Sequence, residues 1–422
     1  MSPCLPDSWR LLHTEEVAEK IMVGIASAAT HAYTDRGVLL LRNQNIREGH
    51  IDLGDVLYID AVYELTHGRK RLRAGDVVTV RTGYPGLSAV VPPELHGAQC
   101  FTSLITRPIP QIITSEFLCA FINSPPGKRQ FASGEAGAAQ KNVNASTLAK
   151  MFVPVPPLDE QKAIVNVLSA WDRGIGQLEG VIAAKERRKR GLMQQLLTGK
   201  RRFPEFGNPA MRGNELAEGW ERRHIGELFQ EVTDKVGSKE VPPYSITAGT
   251  GFVSHEEKWG KNIAGSQHSN YTLLRKGQFS YNKGNSKRYP CGCMYLLKHA
   301  DEIAVPSVFI SFESRGRVCD EFYEQYFMAD LCARELRKYI TSGARSDGLL
   351  NISKSDFLSI RVPTPTLAEQ RRIAALLYAC DAELERLRAQ LTALKQQKKG
   401  LMQKLLTGEV RISAKGGVEN VS

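Results

Sequence analysis

Three stretches of the chain bring cationic, amide and aromatic side chains within a few residues of one another. They read GRKRLR from Gly68 to Arg73, RTGYPG from Arg81 to Gly86 and SYNKGNSKRY from Ser280 to Tyr289. Lys and Arg bind phosphates, and Arg, Asn, Lys and Tyr reach the edges of DNA bases. The candidate DNA-contacting residues are Arg69, Lys70, Arg71, Arg81, Tyr84, Tyr281, Asn282, Lys283, Asn285, Lys287 and Arg288. A basic turn is more often a solvated surface, so that alternative stays open for each stretch.

The positive charge of the chain is concentrated in two segments. The net charge is +11 and the isoelectric point is near 9.2. Residues 158–203 contain ten Lys and Arg against five Asp and Glu, and residues 367–412 contain nine against five. A polyanion is therefore the first partner to consider. Long exposed helices are often charged, so an individual basic residue proves little.

Sequence patterns that would support catalysis are missing. The chain has no GxGxxG after a strand, no GxxxxGK[ST] and no HExxH. VPPY from Val241 to Tyr244 resembles the D/N-P-P-Y/F tetrapeptide of DNA adenine methyltransferases, but Val241 cannot hydrogen-bond a flipped base. Cys291 and Cys293, with His299 nearby, fall short of two spaced ligand pairs. We expect neither a cofactor nor a metal, and no catalytic residue.

The composition also bounds the location of the protein. Apolar runs are far shorter than the roughly 20 residues that cross a bilayer, and the N-terminal MSPCLPDSWR has no basic start followed by an apolar stretch. Six of the eight cysteines are scattered singly, which is typical of reduced thiols. We expect a cytoplasmic protein without membrane contact.

One ten-residue string occurs twice. Gly191 to Lys200 reads GLMQQLLTGK and Gly400 to Glu409 reads GLMQKLLTGE, 209 positions later. The same shift aligns VPVPPLDEQ, which ends at Gln161, with VPTPTLAEQ, which ends at Gln370. Each copy places apolar residues alternately four and three apart, which indicates a coiled-coil seam. The candidate seam or partner-binding residues are Leu158, Gln161, Ile164, Leu168, Leu192, Leu196, Leu367, Gln370, Ile373, Leu377, Leu401 and Leu405.

Two lysines interrupt this seam. Lys189 and Lys398 occupy equivalent positions in the two copies. A seam lysine can set the register of a coiled coil, or its stem can extend so that the charge reaches solvent. We favour the second interpretation. Gly199 and Gly408 follow the last leucines and suit helix C-terminal caps.

The repeat divides the chain into two similar halves. We predict a first domain (1–157), a first long helix (158–202), a linker (203–214), a second domain (215–366), a second long helix (367–412) and a flexible tail (413–422). At 1.5 Å rise per residue, each helix is about 60 Å long. Alternating strand patterns and short helices in the domains predict an α+β protein with two mixed α/β domains. The sequence alone leaves parallel and antiparallel pairing of the helices open.

These motifs resemble the DNA-specificity subunit of type I restriction-modification systems. The resemblance rests on PPLDEQ and TLAEQ, on the two GLMQxLLTG strings, and on the domain openings LPDSW (Leu5 to Trp9) and LAEGW (Leu216 to Trp220). It implies two target-recognition domains that each read one half of a split, asymmetric site in double-stranded DNA. It also implies that the helices form an antiparallel coiled coil with internal pseudo-twofold symmetry.

Partners follow from the same resemblance. The helices would hold the two readers apart and bind methyltransferase subunits, expected to be two, with restriction and translocase subunits joining through the complex. Three other hypotheses remain open: a specificity subunit of a stand-alone methyltransferase or type II-like system, a protein-only coiled-coil adaptor, and an enzyme in its own right.

Overall fold

The computed structural model describes residues 5–27, 29–133, 143–210, 215–261, 263–284, 289–340, 349–412 and 418–420. The chain divides into two compact units. One combines residues 1–179 with 389–422, and the other comprises residues 180–388. Each unit therefore contains one domain and a part of each long helix, so it joins segments that lie far apart in the sequence.

The first domain combines short strands with short helices. Its strands are β1 (Arg10–His13), β2 (Ala18–Val23), β3 (Tyr33–Thr34), β4 (Val38–Leu41), β5 (Leu57–Ile59), β6 (Val77–Thr79), β7 (Ser88–Val90), β8 (Gln99–Cys100), β9 (Leu104–Pro108) and β10 (Phe152–Val155). Its helices are α1 (Ala61–Leu65), α2 (Ser115–Asn123), α3 (Pro125–Ser133) and α4 (Ala145–Ala149). The first long helix, α5, spans Leu158–Leu196.

Among the described residues, the second domain also has ten strands, with five short helices in place of four. Its strands are β11 (Glu221–His224), β12 (Phe229–Glu231), β13 (Tyr244–Thr247), β14 (Gly251–Ser254), β15 (Thr272–Arg275), β16 (Phe279–Asn282), β17 (Cys293–Leu296), β18 (Glu302–Val305), β19 (Ile310–Ser314) and β20 (Arg361–Thr364). Its helices are α6 (Ile225–Leu228), α7 (His255–Trp259), α8 (Asp320–Met328), α9 (Ala333–Leu336) and α10 (Lys354–Leu358). The second long helix, α11, spans Leu367–Thr407, and β21 (Val410–Ile412) and β22 (Val418–Asn420) follow it.

The two domains share a sheet order although their sequences differ. The first contains a four-stranded sheet in the order β2-β9-β6-β7, and the second contains one in the order β12-β19-β16-β17. In each domain the opening strand pairs antiparallel with the strand that leads into a long helix, as β1 with β10 and β11 with β20. The internal repeat therefore extends from the helices into the frame of the domains.

The long helices run antiparallel in each unit. In the first, Lys395 binds Glu179 at 2.7 Å and Lys398 binds Asp172 at 2.5 Å. Residue numbers rise along one helix as they fall along the other, which only antiparallel helices allow. In the second unit, Lys185 and Lys189 pair in the same descending order with Glu383 and Asp381. The expected antiparallel helix pairing and the internal repeat are confirmed.

The seam lysines do not extend to solvent, so the favoured interpretation was wrong. The Lys189 side chain is 12% exposed and its Nζ lies 2.5 Å from Asp381 Oδ1. The Lys398 side chain is 15% exposed and forms the equivalent pair with Asp172. Each lysine thus faces a carboxylate of the opposite helix, and the ion pairs occupy positions related by the repeat.

Most of the predicted apolar seam residues pack into or against the cores of the two units. Ile164, Leu168 and Leu405 pack into the core of the first unit, and Leu196, Ile373 and Leu377 pack into the core of the second. The remaining apolar seam residues beside these cores are partly buried: Leu192, Leu367 and Leu401.

Gln161 and Gln370 fix each helix to its own domain. Both are buried, so neither is open to a partner subunit. Gln161 Oε1 accepts a hydrogen bond from the Thr114 backbone N–H at 2.8 Å, and Gln370 Oε1 accepts one from Cys319 N–H at the same distance. Thr114 and Cys319 are the N-cap residues of α2 and α8. The two domains therefore dock on their helices in the same register.

The ends of the long helices differ in part from the prediction. Gly199 and Gly408 have positive φ angles of 71° and 81°, as expected for C-terminal caps. However, α5 ends at Leu196 rather than at residue 202. Likewise α11 ends at Thr407, and Val410–Ile412 form β21 instead of helix. Val418–Asn420 pair with β21 as β22.

An arginine that follows one long helix binds the start of the other. Arg202, which follows α5, makes two hydrogen bonds of 2.8 Å to Glu369 near the start of α11. The Trp220 indole donates to the same carboxylate at 2.9 Å. The Glu369 and Arg202 side chains are 0% and 3% exposed. Hydrogen bonding to Glu369 raises the pKa of Arg202, so this guanidinium stays charged.

The first unit contains the equivalent cluster. Arg411, which follows α11, binds Glu160 of α5 at 2.8 and 3.1 Å, and Trp9 donates to Glu160 at 3.1 Å. The Arg411 side chain is 33% exposed and the Glu160 side chain is 7% exposed. The domain openings LPDSW and LAEGW therefore supply the tryptophans of these two Arg–Glu–Trp clusters.

Candidate nucleic-acid interface

Two of the three predicted basic stretches lie at the same place in the two domains. RTGYPG lies between β6 and β7, and SYNKGNSKRY begins within β16 and leads towards β17. These strand pairs occupy the same positions in the shared sheet order. Two equivalent hairpins with different side chains are thus built on one frame.

The first hairpin presents an aromatic side chain at an exposed turn. Gly83 and Gly86 have φ angles of 88° and 89°, which side chains with a Cβ rarely adopt. The Gly86 N–H closes the turn on Val80 O at 3.0 Å. Between the glycines, Tyr84 is 80% exposed. An exposed tyrosine on a closed turn is suited to stack on or hydrogen-bond to a nucleotide.

The second hairpin differs from the expectation at one residue. Tyr281 is fully buried, its hydroxyl donates to Cys291 O at 2.7 Å, and its ring stacks on Phe357. This burial contradicts the expected DNA contact, because alternation along β16 directs Tyr281 into the core. Asn282 is half-buried and donates to Ile246 O at 3.0 Å, and Lys283 is half-buried beside it. Asn285, Lys287 and Arg288 lie outside the described residues.

The stretch GRKRLR is partly engaged within its own domain. Arg71 forms a bidentate ion pair with Glu64, whose side chain is 2% exposed. The hydrogen bond from Arg71, together with one from Gln99, lowers the pKa of Glu64. Lys70 Nζ donates to Gly24 O at 2.9 Å, whereas Arg69 is exposed. Arg71 and Lys70 are held by these contacts, whereas Arg69 and Arg73 are exposed cations of this stretch outside them.

A groove of about 500 Å³ lies beside Tyr84 in the first domain. It contains polar residues that sequence analysis missed, above all Arg42, Gln44 and Arg47. The lining is Tyr33, Arg42, Asn43, Gln44, Ile46, Arg47, Val80, Thr82, Gly83, Tyr84, Leu87, Phe101 and Thr102. Cationic and amide groups above an apolar floor have the composition of a base-reading surface.

Hydrogen bonds hold the loops of this groove together. Asn43 Nδ2 donates to Thr82 Oγ1 at 2.9 Å, and Asn43 Oδ1 accepts from Ser103 Oγ at 2.8 Å. Asp55 Oδ2 accepts from Arg42 at 2.9 Å and from Gln44 at 2.9 Å. Asn43 therefore braces three separate loops, while Asp55 orients two side chains that line the groove.

An exposed arginine turn follows β19 in the second domain. Ser314, Arg315 and Arg317, together with Gln230, line an open cleft of about 570 Å³. Arg315 is held by hydrogen bonds to Gly226 O at 3.2 Å and to Gln230 Oε1 at 3.3 Å. Two guanidinium groups beside a hydroxyl suit a phosphate. Sequence analysis missed this turn, although its S-R-G-R string could have identified it.

The described part of the chain also contains acidic, histidine and cysteine side chains. Within it, no three or more His, Cys, Asp and Glu side chains gather in a way that could hold a metal ion. Burial raises the pKa of the Cys100 and Cys119 thiols to about 12, which disfavours the nucleophilic thiolate. None of the helices in the described ranges is long and apolar enough to cross a membrane.

Comparisons with known proteins agree with this architecture. A family model described as "Type I restriction modification DNA specificity domain" matches residues 64–184. A Methanocaldococcus jannaschii chain named as the MjaX specificity subunit of a type I restriction enzyme is 26% identical over 424 residues, covering 97% of this chain and 95% of that relative.

Solved structures show the same fold. A structure described as showing complex assembly and conformational transition of the type I R-M system aligns with a TM-score of 0.63 at 19% identity, over 96% of this chain and 99% of that one. The HsdS subunit from Thermoanaerobacter tengcongensis aligns with a TM-score of 0.51 at 20% identity, with the same coverage.

The two domains share the order of their four-stranded sheets, and the long helices run antiparallel in each unit. The chain is thus similar over residues 64–184 to type I restriction-modification DNA specificity domains and over nearly its whole length to a relative named as a specificity subunit, and it shares its fold with the solved structures.

Proposed function

We propose that the chain is the non-catalytic, sequence-specific DNA-binding subunit of a type I restriction-modification complex. Each domain reads one half of a split, asymmetric site in double-stranded DNA. The observation that carries the proposal is the pair of equivalent hairpins, β6–β7 and β16–β17, on the same four-stranded frame with unrelated side chains. An identical frame with different contact residues is what two readers of two different sequences need.

The long helices set the distance between the two half-sites in this proposal. A helix of 39 residues such as α5 is about 58 Å long. Ion pairs between the antiparallel helices resist sliding of one along the other, because each slip would separate lysines from their carboxylates. The spacer between the half-sites would therefore have a fixed length.

In this proposal, DNA methylation and cleavage are carried out by partner subunits. The proposed partners are methyltransferase subunits, expected to be two, which bind the helices, and restriction and translocase subunits that join through the complex. An adenine inside the duplex must be flipped out before it can be methylated, so the methyltransferase subunits would also perform that step. Exposed basic residues along α5 and α11 would strengthen the hold on DNA in a salt-dependent way.

Methylome sequencing tests this function directly. The chain is co-expressed with its methyltransferase subunits, and we expect methylation at one bipartite motif with a fixed spacer. Exchange of residues 1–157 for those of a relative should change one half of the motif and leave the other half unchanged. Methylation without this chain, or a motif unaffected by the exchange, would refute the proposal.

The spacer gives an independent measurement. Deletion of residues 175–181 and 384–390, which are equivalent in the repeat, removes one heptad from each helix. The helices then shorten by about 10 Å, or about three base pairs. We expect a correspondingly shorter spacer with both half-sites retained. A protein-only adaptor would assemble with its partners but show no motif in either experiment.

A further inference from the structure

One carboxylate in the first domain fixes two side chains with base-reading chemistry. Asp55 Oδ2 lies 2.9 Å from Arg42 Nη2 and 2.9 Å from Gln44 Nε2. The Asp55 backbone carbonyl also accepts from Arg42 Nη2 at 3.0 Å. The Arg42 side chain is 27% exposed and the Asp55 side chain is 75% exposed. The arrangement therefore holds both side chains at the edge of the groove.

Both side chains keep hydrogen-bonding capacity after binding Asp55. Gln44 has one amide hydrogen and its carbonyl oxygen without a partner among the described residues. Arg42 Nη1 likewise has no acceptor among them, whereas Arg42 Nε is buried and cannot reach a base. A glutamine amide matches the N6 donor and N7 acceptor of adenine, and a guanidinium matches O6 and N7 of guanine. Restricted side chains lose less conformational entropy on binding.

We propose that Arg42 and Gln44, oriented together by Asp55, determine the specificity of the first domain, with Gln44 reading an adenine and Arg42 reading a guanine in the major groove. This inference rests on the proposed DNA-reading function and assigns it to particular atoms. Asp55 is a positioning residue that contacts no base. Tyr84, at the exposed turn beside them, contacts the neighbouring nucleotide.

Arg47 provides a matched control in the same segment. Its side chain lines the same groove and is 52% exposed, and within the described residues it forms one long ion pair, 3.7 Å to Asp52. An exposed arginine without a close carboxylate is free to turn towards a phosphate. Phosphate contacts contribute affinity without sequence information. Substitution of Arg47 should therefore change affinity for all sites, whereas substitution of Arg42 or Gln44 should change the base preference.

The test uses the assembled methyltransferase complex and a library of DNA sites randomised in both half-sites. Gln44→Leu should abolish the preference for one adenine, and Arg42→Met the preference for one guanine, with a loss of about 5- to 150-fold on the wild-type site. Asp55→Asn should weaken both preferences together, which a purely structural defect would not do. Arg47→Met should lower binding to all sites alike and reduce its salt dependence.

The outcomes separate this inference from the proposed function. Thermal unfolding of each variant shows that the fold is retained, and an unchanged second half-site serves as an internal control. If the wild-type complex reads a bipartite site but Gln44→Leu and Arg42→Met keep its base preferences, the assignment of these residues is overturned while the function stands. If the wild-type complex shows no sequence preference at all, the proposed function itself fails.

Discussion

The Arg–Glu–Trp cluster of the second unit predicts a large loss of stability when its arginine is removed. Arg202→Met keeps most of the apolar volume but leaves the fully buried Glu369 carboxylate without its cation. Removing one partner of a buried ion pair costs about 3–5 kcal/mol. Arg202 also donates to Asn208 O at 3.0 Å and to Glu218 O at 2.8 Å, so the segment after α5 loses two further contacts.

The equivalent cluster of the first unit is the natural comparison. Arg411 is 33% exposed and Glu160 is 7% exposed, so water can partly replace the lost cation. We expect Arg411→Met to cost only about 1–2 kcal/mol. For a unit of about 200 residues, 1 kcal/mol shifts the melting temperature by about 2–4 °C. Arg202→Met should therefore lower the midpoint of its unit by about 6–20 °C, clearly more than Arg411→Met lowers that of the first.

Calorimetry measures the midpoints, and hydrogen exchange assigns each transition to a unit, because a chain with two units need not unfold in one step. The decisive comparison is the double variant Arg202→Met/Glu369→Gln. It removes the buried charge together with its partner and should recover part of the loss. A double variant as unstable as Arg202→Met alone would refute the explanation, because the loss would then not come from an unpaired carboxylate.

Three further predictions concern single contacts. Gly408→Ala should destabilise the protein by more than about 1 kcal/mol, because φ is 81° and a Cβ would lie 2.6 Å from the Pro6 ring. Gly400 has open space around it, so Gly400→Ala should stabilise α11 by about 0.5–1 kcal/mol. Chemical denaturation measures both changes. Lys189→Glu should place like charges opposite Asp381 and lower the melting temperature, and the exchange Lys189→Glu/Asp381→Lys should restore most of it; no recovery would contradict a direct pair. Burial, and secondarily Glu321, raises the pKa of Asp320 to about 6, so folding binds a proton between pH 4 and 6 and stability falls as pH rises through that range. At pH 8, Asp320→Asn should therefore raise the free energy of unfolding by about 1–2 kcal/mol after solvent screening, and near pH 4 it should make no difference. An equal difference at both pH values would exclude this cause.

The sequence predicted the helical frame well because its signals are local and doubled. The long helices begin at Leu158 and Leu367, as the proline-rich leads and the apolar spacing indicated. Their C-terminal glycines adopt the expected positive φ. The seam lysines were misassigned because the apolar spacing of one helix does not reveal the carboxylate that the other places opposite. The repeated Asp172 and Asp381 were the available signal.

The candidate interface was harder to predict because it is not contiguous. The groove joins residues 42–47 to the β6–β7 turn and to residues 101–102, and only the turn forms a compact basic string. Arg42 and Gln44 stand in a stretch, LLLRNQNIR, that reads as the end of a strand. Tyr281 shows the opposite error, because a polar neighbourhood in the sequence concealed its inward direction on β16.

The residues that the two halves share are those that join helix to domain and helix to helix. Glu160 and Glu369, together with Gln161 and Gln370, make the same hydrogen bonds in both units. The residues next to these shared contacts differ between the two units. In the second unit, Lys298 and the Tyr378 hydroxyl of α11 both bind Glu324 of α8. Three polar side chains thus bridge α8 and α11 beside the shared frame.

At the corresponding junction of the first unit these bridging groups are replaced by small ones. Position 378 corresponds to Ser169 by the repeat, and the common docking register of α2 and α8 matches Glu324 to Cys119 and the next residue, Gln325, to Ala120. Gln325 binds Asp381 at 3.1 Å, whereas Ala120 has no group to bind Asp172. A cavity of about 210 Å³ lies there instead, lined by Cys119, Ala120 and Ser169 among others. Identity between the repeats therefore marks the contacts that build the common frame, and side-chain size between those contacts decides how tightly each domain is packed against it.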